Sequence, residues 1–237
     1  MSETAKYRHE FKYLINYQEY LLIRSRVRNI LPVDSNADGD GAYTVRSLYF
    51  DDYNNSSYYD KYAGILKRAK HRIRIYNYSD QRINYEKKNK HGQYNHKQTA
   101  LITKEQFYAT LRGDYGYLLN SKSELLHRLY YECTVNLLRP RIIVDYEREP
   151  YILAAGDVRL TFDKNIRAGI DGFDIFDKDI PTVETMDPGT LVMEVKYTEF
   201  LPNIVRNILT SSTALYVESS KYILCCDKML HTRGFNA

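Results

Sequence analysis

The 237 residues carry 34 Lys and Arg against 30 Asp and Glu, a net charge of +4, and 43% of them are hydrophobic. That length suits one large domain or two small ones with a substantial core, and the charge is too balanced for a protein held to nucleic acid mainly by a basic surface. No apolar run approaches the roughly 20 residues that span a bilayer, and the polar start MSETAKYRHEFKYLI does not read as a signal peptide.

Three cysteines, Cys133, Cys225 and Cys226, are odd in number and contain no C-x-x-C. They are expected to be reduced thiols of a cytoplasmic protein, not a disulfide framework or a zinc site. Tyr is abundant, with 24 residues against no Trp, which suits sheets with one wet face.

In chain order, residues 7–15 read as a strand, and 17–31 carry helical periodicity that stops at Pro32. A loop rich in Asp, Asn and Gly (34–41) leads to a strand at 43–51, and 54–63 reads as a short helix. Strands follow at 71–78, 82–90 and 94–99. Thr103 with Gln106 forms a capping-box pattern for a helix through Leu111, with Gly113 just beyond its end. A helix is predicted over 121–137. Pro140 precedes a strand at 141–148, and strands at 157–163 and 190–198 come next. Pro202 suits the first position of a helix through Leu209, and a last helix starts near Ser219. There is no internal repeat or linker, so residues 1–237 are expected to be a single domain. About eight strands with flanking helices make it α+β, and a closed antiparallel barrel is the expected solution.

Alternate residues of a strand share a face. That rule groups Glu10 with Lys12, Arg72 with Arg74, Glu86 with Lys88, Tyr146 with Arg148, and Glu194 with Lys196, while Arg159 opposes Val158 and Leu160. Taken one strand at a time, these are ordinary solvated faces. Together they repeat a narrow theme, R-x-R and E-x-K, across strands more than 180 residues apart. Enclosing so much charge in a barrel requires a compensating ligand. A polyanion would neutralise the Lys and Arg, and the carboxylates would hold a hard divalent cation bridging its phosphates. No G-x-x-x-x-G-K-[ST] or G-x-G-x-x-G occurs, His91 and His96 lack zinc spacing, and the Ser residues near Ser220 lack a His–Asp partner.

The ordered set FKYLI, SLYFDD, RIRIY, EKK, DYER, VRLTFD, MEVKY and SKY, over residues 6–230, resembles the VTC domain. That is the polyphosphate polymerase domain of the vacuolar transporter chaperone family, within the triphosphate tunnel metalloenzyme (CYTH-like) superfamily. The resemblance implies a basic tunnel in an antiparallel barrel. It also implies Mn2+- or Mg2+-dependent transfer of the ATP γ-phosphoryl group to phosphate or polyphosphate. Motif by motif, it places Lys12, Arg72, Arg74, Lys88, Tyr146, Arg148, Arg159, Lys196, Ser220 and Lys221 in the tunnel, with Lys97 as a further match. Among them Arg72, Arg74, Lys88, Arg148, Arg159 and Lys196 are the candidate catalytic set. Lys12, Lys97, Tyr146, Ser220, Lys221 and Glu86 are the candidate substrate contacts. Glu194 matches the family's metal-binding Glu; Glu10 and Glu86 are candidates for a second metal contact or for ion pairs with a nearby Lys. Glu218 departs from the family pattern, standing where eukaryotic members tend to have a basic residue. The chain also lacks their SPX domain and transmembrane helices, so no membrane insertion is expected, and inward-pointing charge argues against nucleic acid as a partner. The expected ligands are ATP, phosphate and polyphosphate or triphosphate. The other readings are a triphosphatase of the same superfamily and a non-catalytic polyphosphate or nucleotide sensor.

Overall fold

The computed structural model describes residues 9–35, 37, 39, 41–92, 94–209, 214–218 and 220–233. Its strands are β1 His9–Asn16, β2 Tyr43–Asp51, β3 Lys67–Tyr76, β4 Ile83–His91, β5 Tyr94–Ile102, β6 Arg139–Leu153, β7 Val158–Gly169, β8 Thr182–Glu184, β9 Thr190–Tyr197 and β10 Leu215–Tyr216. Its helices are α1 Tyr17–Arg28, α2 Ser56–Tyr62, α3 Lys104–Leu111, α4 Gly116–Leu119, α5 Glu124–Thr134, α6 Asn203–Ile208 and α7 Lys221–Arg233.

Local chemistry accounts for most of these boundaries. Capping boxes open α1, through Asn16 and Glu19, and α3, through Thr103 and Gln106; each satisfies two otherwise orphaned groups. Pro202 is the N-cap of α6, one position earlier than expected. The expected helix over 121–137 is α5, with the separate short α4 before it. β3 begins four residues earlier than its apolar alternation suggests, at Lys67. β6 runs through Pro150 because β2 pairing ends at Arg148, so a missing N–H removes no ladder bond with β2. Residues 7, 8, 36, 38, 40 and 219 of the expected elements lie outside the described residues.

All ten strands belong to one antiparallel sheet in the order β10-β1-β9-β7-β6-β2-β3-β4-β5, with β8 also on β7. The expected closed barrel of about eight strands is therefore corrected: β8 and β10 are added, and among the described residues no hydrogen-bonded ladder joins the two edges. The sheet nonetheless curls. β1 and β4 are six steps apart along it, roughly 29 Å if it lay flat. Yet Lys88 Nζ on β4 lies 3.0 Å from Glu10 Oε2 on β1. Side chains thus meet across an enclosed trough where the backbone does not.

Three apolar clusters hold this shape. On the outer face, Ile73, Ile75, Ile83 and Tyr85 pack under α3, α4 and α5. On the other half, Ile15, Leu160, Phe162, Met193 and Val195 pack under α1 and α6. The third lies on the inner face, where Tyr222, Ile223, Cys225, Cys226 and Met229 of α7 pack on Val45, Tyr49, Val144, Tyr146 and Val192. α7 therefore plugs part of the trough. All three cysteines are free and buried; burial pushes the Cys133 and Cys226 thiols up to about 12, so neither is a ready nucleophile. No helix among the described residues is long and apolar enough to cross a membrane.

Gly156, at the turn between β6 and β7, has φ +76°, and a Cβ there would lie 2.3 Å from the Phe200 carbonyl oxygen. Its own carbonyl accepts from Thr198 N at 3.1 Å, fastening the turn to the end of β9. Gly156→Ala is expected to destabilise the fold by about 3 kcal/mol through left-handed strain and overlap. A chemical-denaturation midpoint close to wild type would contradict this.

Candidate functional site

The inner face is built from strand pairs in register. On β1 and β9, Glu10 faces Lys196 and Lys12 faces Glu194, so the two E-x-K motifs form an alternating square. Lys12 Nζ lies 2.9 Å from Glu10 Oε1, and Lys196 contacts Glu194 within its own strand. Glu194 is thus ion-paired with Lys196. Burial favours protonation of Glu10, yet Lys196, Lys12 and Lys88 outweigh it and bring its pKa down to about 2. Glu194 is 4% exposed and is held well below the usual carboxylate range, with Lys196, Lys12, Lys221 and Arg148 overcoming its burial.

On the facing wall, Arg72 stands opposite both Tyr49 and Glu86. Its Nε donates to Glu86 Oε2 at 2.7 Å and its Nη1 to Tyr49 Oη at 2.8 Å. Arg74 has no such tight carboxylate: its Nε donates to Ser47 Oγ at 3.1 Å, its Nη2 to Tyr146 Oη at 3.3 Å, and Glu86 is 3.9 Å away. Between the walls, both carboxylate oxygens of Asp163 on β7 accept from Arg148, at 2.7 and 2.8 Å. Lys221 Nζ lies 2.5 Å from the same carboxylate. Ser220 Oγ accepts from Lys70 Nζ at 2.7 Å.

These groups surround a cavity of about 430 Å³. Lys12, Arg72, Arg74, Lys88, Tyr146, Arg148, Lys196, Ser220, Lys221, Glu10 and Glu194 all line it. Three candidates do not. Glu86 shares the inner face with its register partner Arg72 but is covered, at 2% exposure, and anchors Arg72 and Lys97. Lys97 is half-exposed on β5, 3.0 Å from Glu86. Arg159 is held at the rim by Asp34, 2.9 Å away, and by Tyr43 Oη at 3.2 Å.

Sequence reading missed Lys70, Arg68 and Lys90, which line the cavity, and Asp163 behind it. The signal was there: Arg68 and Lys70 continue the Arg72–Arg74 alternation, Lys90 extends Glu86–Lys88, and Asp163 shares a face with Arg159. Starting β3 at residue 71 hid the first two.

Among the described residues, eleven Lys and Arg line the cavity against four carboxylates. Even with Glu86 and Asp163 added to the acids, the local excess exceeds the +4 of the whole chain, so the positive field is concentrated inside. The self-repulsion is visible in the lysines. Burial, reinforced by Lys12, Arg68 and Lys88, brings Lys70 down to about 7. Burial, opposed by Glu10 but aided by Lys12 and Lys196, brings Lys88 down to about 8.

Lys70 sets a pH dependence. A bound polyanion restores its ordinary ammonium pKa, so binding above pH 7 takes up a proton and affinity falls as pH rises; below pH 7 the dependence levels off. For the ligand-free protein the sign reverses. At pH 8 the unfolded chain holds a proton on Lys70 that the folded chain lacks, so stability rises with pH there. Calorimetry of triphosphate binding at pH 8 in two buffers of different protonation enthalpy should report the uptake; identical heats would refute it.

The sequence profile of the VTC domain matches residues 7–230. The chain belongs to the VTC domain family. No curated protein matches it. Among solved structures, HpAC1 from Hippeastrum, described as having a dominant triphosphatase activity, aligns with this VTC domain at a TM-score of 0.54 and 15% identity, over 92% of this chain and 95% of that one. The PH1819 protein from Pyrococcus horikoshii OT3 aligns at a TM-score of 0.48 and 14% identity, over 94% and 99%. At such identities the likeness to HpAC1 speaks to the fold of the VTC domain alone.

Proposed function

We propose that this VTC domain is a metal-dependent polyphosphate polymerase, in which ATP and a polyphosphate of n units give ADP and a polyphosphate of n+1 units. The observation that carries the reading is the cavity whose cations outnumber its carboxylates eleven to four. Phosphoryl transfer needs alignment and charge neutralisation more than covalent chemistry. Arg74, Lys88, Arg148 and Lys196 would neutralise the transferring group, with Arg72 braced by Glu86 beside them. Lys12, Tyr146, Ser220 and Lys221 would hold the rest of the chain of phosphates. Arg159 and Lys97, which do not line the cavity, would add to the positive field around it. A positive excess concentrated inside a cavity supports a slender polyanion over duplex nucleic acid.

The donor set fits a hard divalent cation. Glu194 and Glu10 line the same cavity from adjacent paired strands and both are held ionised, and Mg2+ or Mn2+ is often held by one or two carboxylates with phosphate oxygens completing the shell. Among the described residues no group of three or more His, Cys, Asp or Glu is placed to cage a metal, so those phosphate oxygens would be required. When bound, the ion would polarise the phosphoryl oxygens and offset their charge.

A second reading is a triphosphatase, the activity that HpAC1, which shares the fold, is described as having; the acceptor would then be water. Incubating the protein with ATP and Mn2+ separates them. Long polyphosphate with ADP supports the polymerase. Release of ADP and orthophosphate without polyphosphate, or hydrolysis of inorganic triphosphate in a parallel incubation, supports the triphosphatase, and no turnover of either ATP or triphosphate refutes both.

A further inference from the structure

Opposite charges face each other on β1 and β9, but the β3–β4 hairpin does the reverse. Arg68 pairs in register with Lys90, and Lys70 with Lys88; on the next strand Lys88 also faces Lys97. Two successive rungs of like charge on one hairpin are intrinsically unfavourable. Arg68, Lys70 and Lys90 have no carboxylate at ion-pair distance among the described residues. Arg68 instead donates to the Ile65 carbonyl at 2.8 Å, and Lys70 to Ser220 while lying 5.0 Å above the Tyr222 ring. Burial and the nearby Arg68 also lower the pKa of Lys90. All three line the cavity, and Arg68 and Lys90 pair at the end of the β3–β4 ladder away from its own turn, where β4 leads into β5 and Asn95 stands opposite Lys90.

The contrast with the rest of the site is chemical. Lys12, Arg72, Lys88, Arg148, Lys196 and Lys221 each have a carboxylate at ion-pair distance. The outer rung has none. Its repulsion is only partly offset by Glu218 and would be relieved by a bound anion, and it sits on the same two strands that carry Arg72 and Glu86, extending the row of cations Arg68, Lys70, Arg72 and Arg74 on β3.

We propose that the Arg68–Lys90 rung is a subsite for phosphoryl units beyond the first three, so that the end of the cavity where β4 leads into β5 reads chain length and passes the polymer outward. This rests on the proposed polyphosphate chemistry of the cavity and specifies which mouth the chain uses. Glu218, 65% exposed and 3.3 Å from Lys61, is the carboxylate that tempers this mouth.

The test is calorimetric binding of inorganic triphosphate and of medium-chain polyphosphate to the full chain and to Arg68→Ala/Lys90→Ala. Wild type should bind the longer chain about tenfold more tightly, and the double variant should lose that gain, as expected for two partly screened charge contacts. Triphosphate affinity should change by less than about twofold, which also shows that the variant is folded. Glu218→Gln should tighten the longer chain only. Equal affinity of wild type for both ligands overturns the proposal, as does equal weakening of both in the double variant. A single-stranded oligonucleotide bound as tightly as polyphosphate, and lost with the same two side chains, would assign the rung to nucleic acid and overturn it too. Long-chain binding that depends on Arg68 and Lys90 without any triphosphate binding would retain this subsite and sink the polymerase reading instead.

Discussion

Arg74→Ala is expected to lower turnover of ATP or triphosphate about a hundredfold while the fold survives, because one buried charge-assisted contact to the transferring phosphoryl group contributes on the order of 3 kcal/mol. Arg74 is the informative position because of its partners. It is 7% exposed, bound to two hydroxyl groups, and Glu86 is no closer than 3.9 Å. Its removal orphans no carboxylate and eases repulsion in the empty cavity. Arg74→Lys should recover only part of the rate, since the planar fork is lost. Arg72→Ala behaves differently. Glu86 would lose its closest partner, so activity and stability should fall together, by a few kcal/mol for the latter. Near-normal kcat in Arg74→Ala, with an unchanged melting temperature, would remove Arg74 from the reaction.

Glu194→Gln is expected to abolish the response to Mn2+ and cut turnover by about a hundredfold or more, the scale of a lost metal-held charge. The substitution keeps shape and removes charge. Triphosphate binding in the absence of metal should persist or strengthen, because Lys12 and Lys196 lose a competing carboxylate. The contact between Glu194 and Lys196 makes the opposing account concrete: a carboxylate that only balances its neighbour would leave the metal dependence intact. A metal titration of activity that is the same in wild type and Glu194→Gln would decide for the ion pair. The rigid placement favours the ligand role, since Met193 and Val195 anchor β9 in the outer core on either side of Glu194.

The faces of the strands were legible without a structure because a strand has a period of two and a buried apolar face leaves no freedom of register. Arg72 with Arg74, Glu10 with Lys12, and Glu194 with Lys196 are grouped by alternation alone, and the apolar residues between them could pack only outward against helices. Turn and cap chemistry was legible where a single side chain decides it, as at Thr103. It was missed where the signal was weaker: β8 and β10 span three and two residues, too few to show any period. Lys70 and Arg68 escaped because the alternation there pairs cations with Ala69 and His71, not with large aliphatic residues.

By itself, then, the chain determined which side chains share a face and the sign of the charge on it, since both are properties of one strand. Which strands become neighbours, and what stands across the cavity from what, depends on contacts distant in sequence. Glu10 meeting Lys88 from the far side of the sheet, Asp163 taking both Arg148 and Lys221, and Arg159 being drawn to the rim by Asp34 all depend on the curl of the sheet and on where α7 lodges inside it. Among the described residues the edge strands are not joined by hydrogen bonds. The walls are brought together by ion pairs across the cavity and by an apolar plug, and neither requires the edge strands to exchange hydrogen bonds.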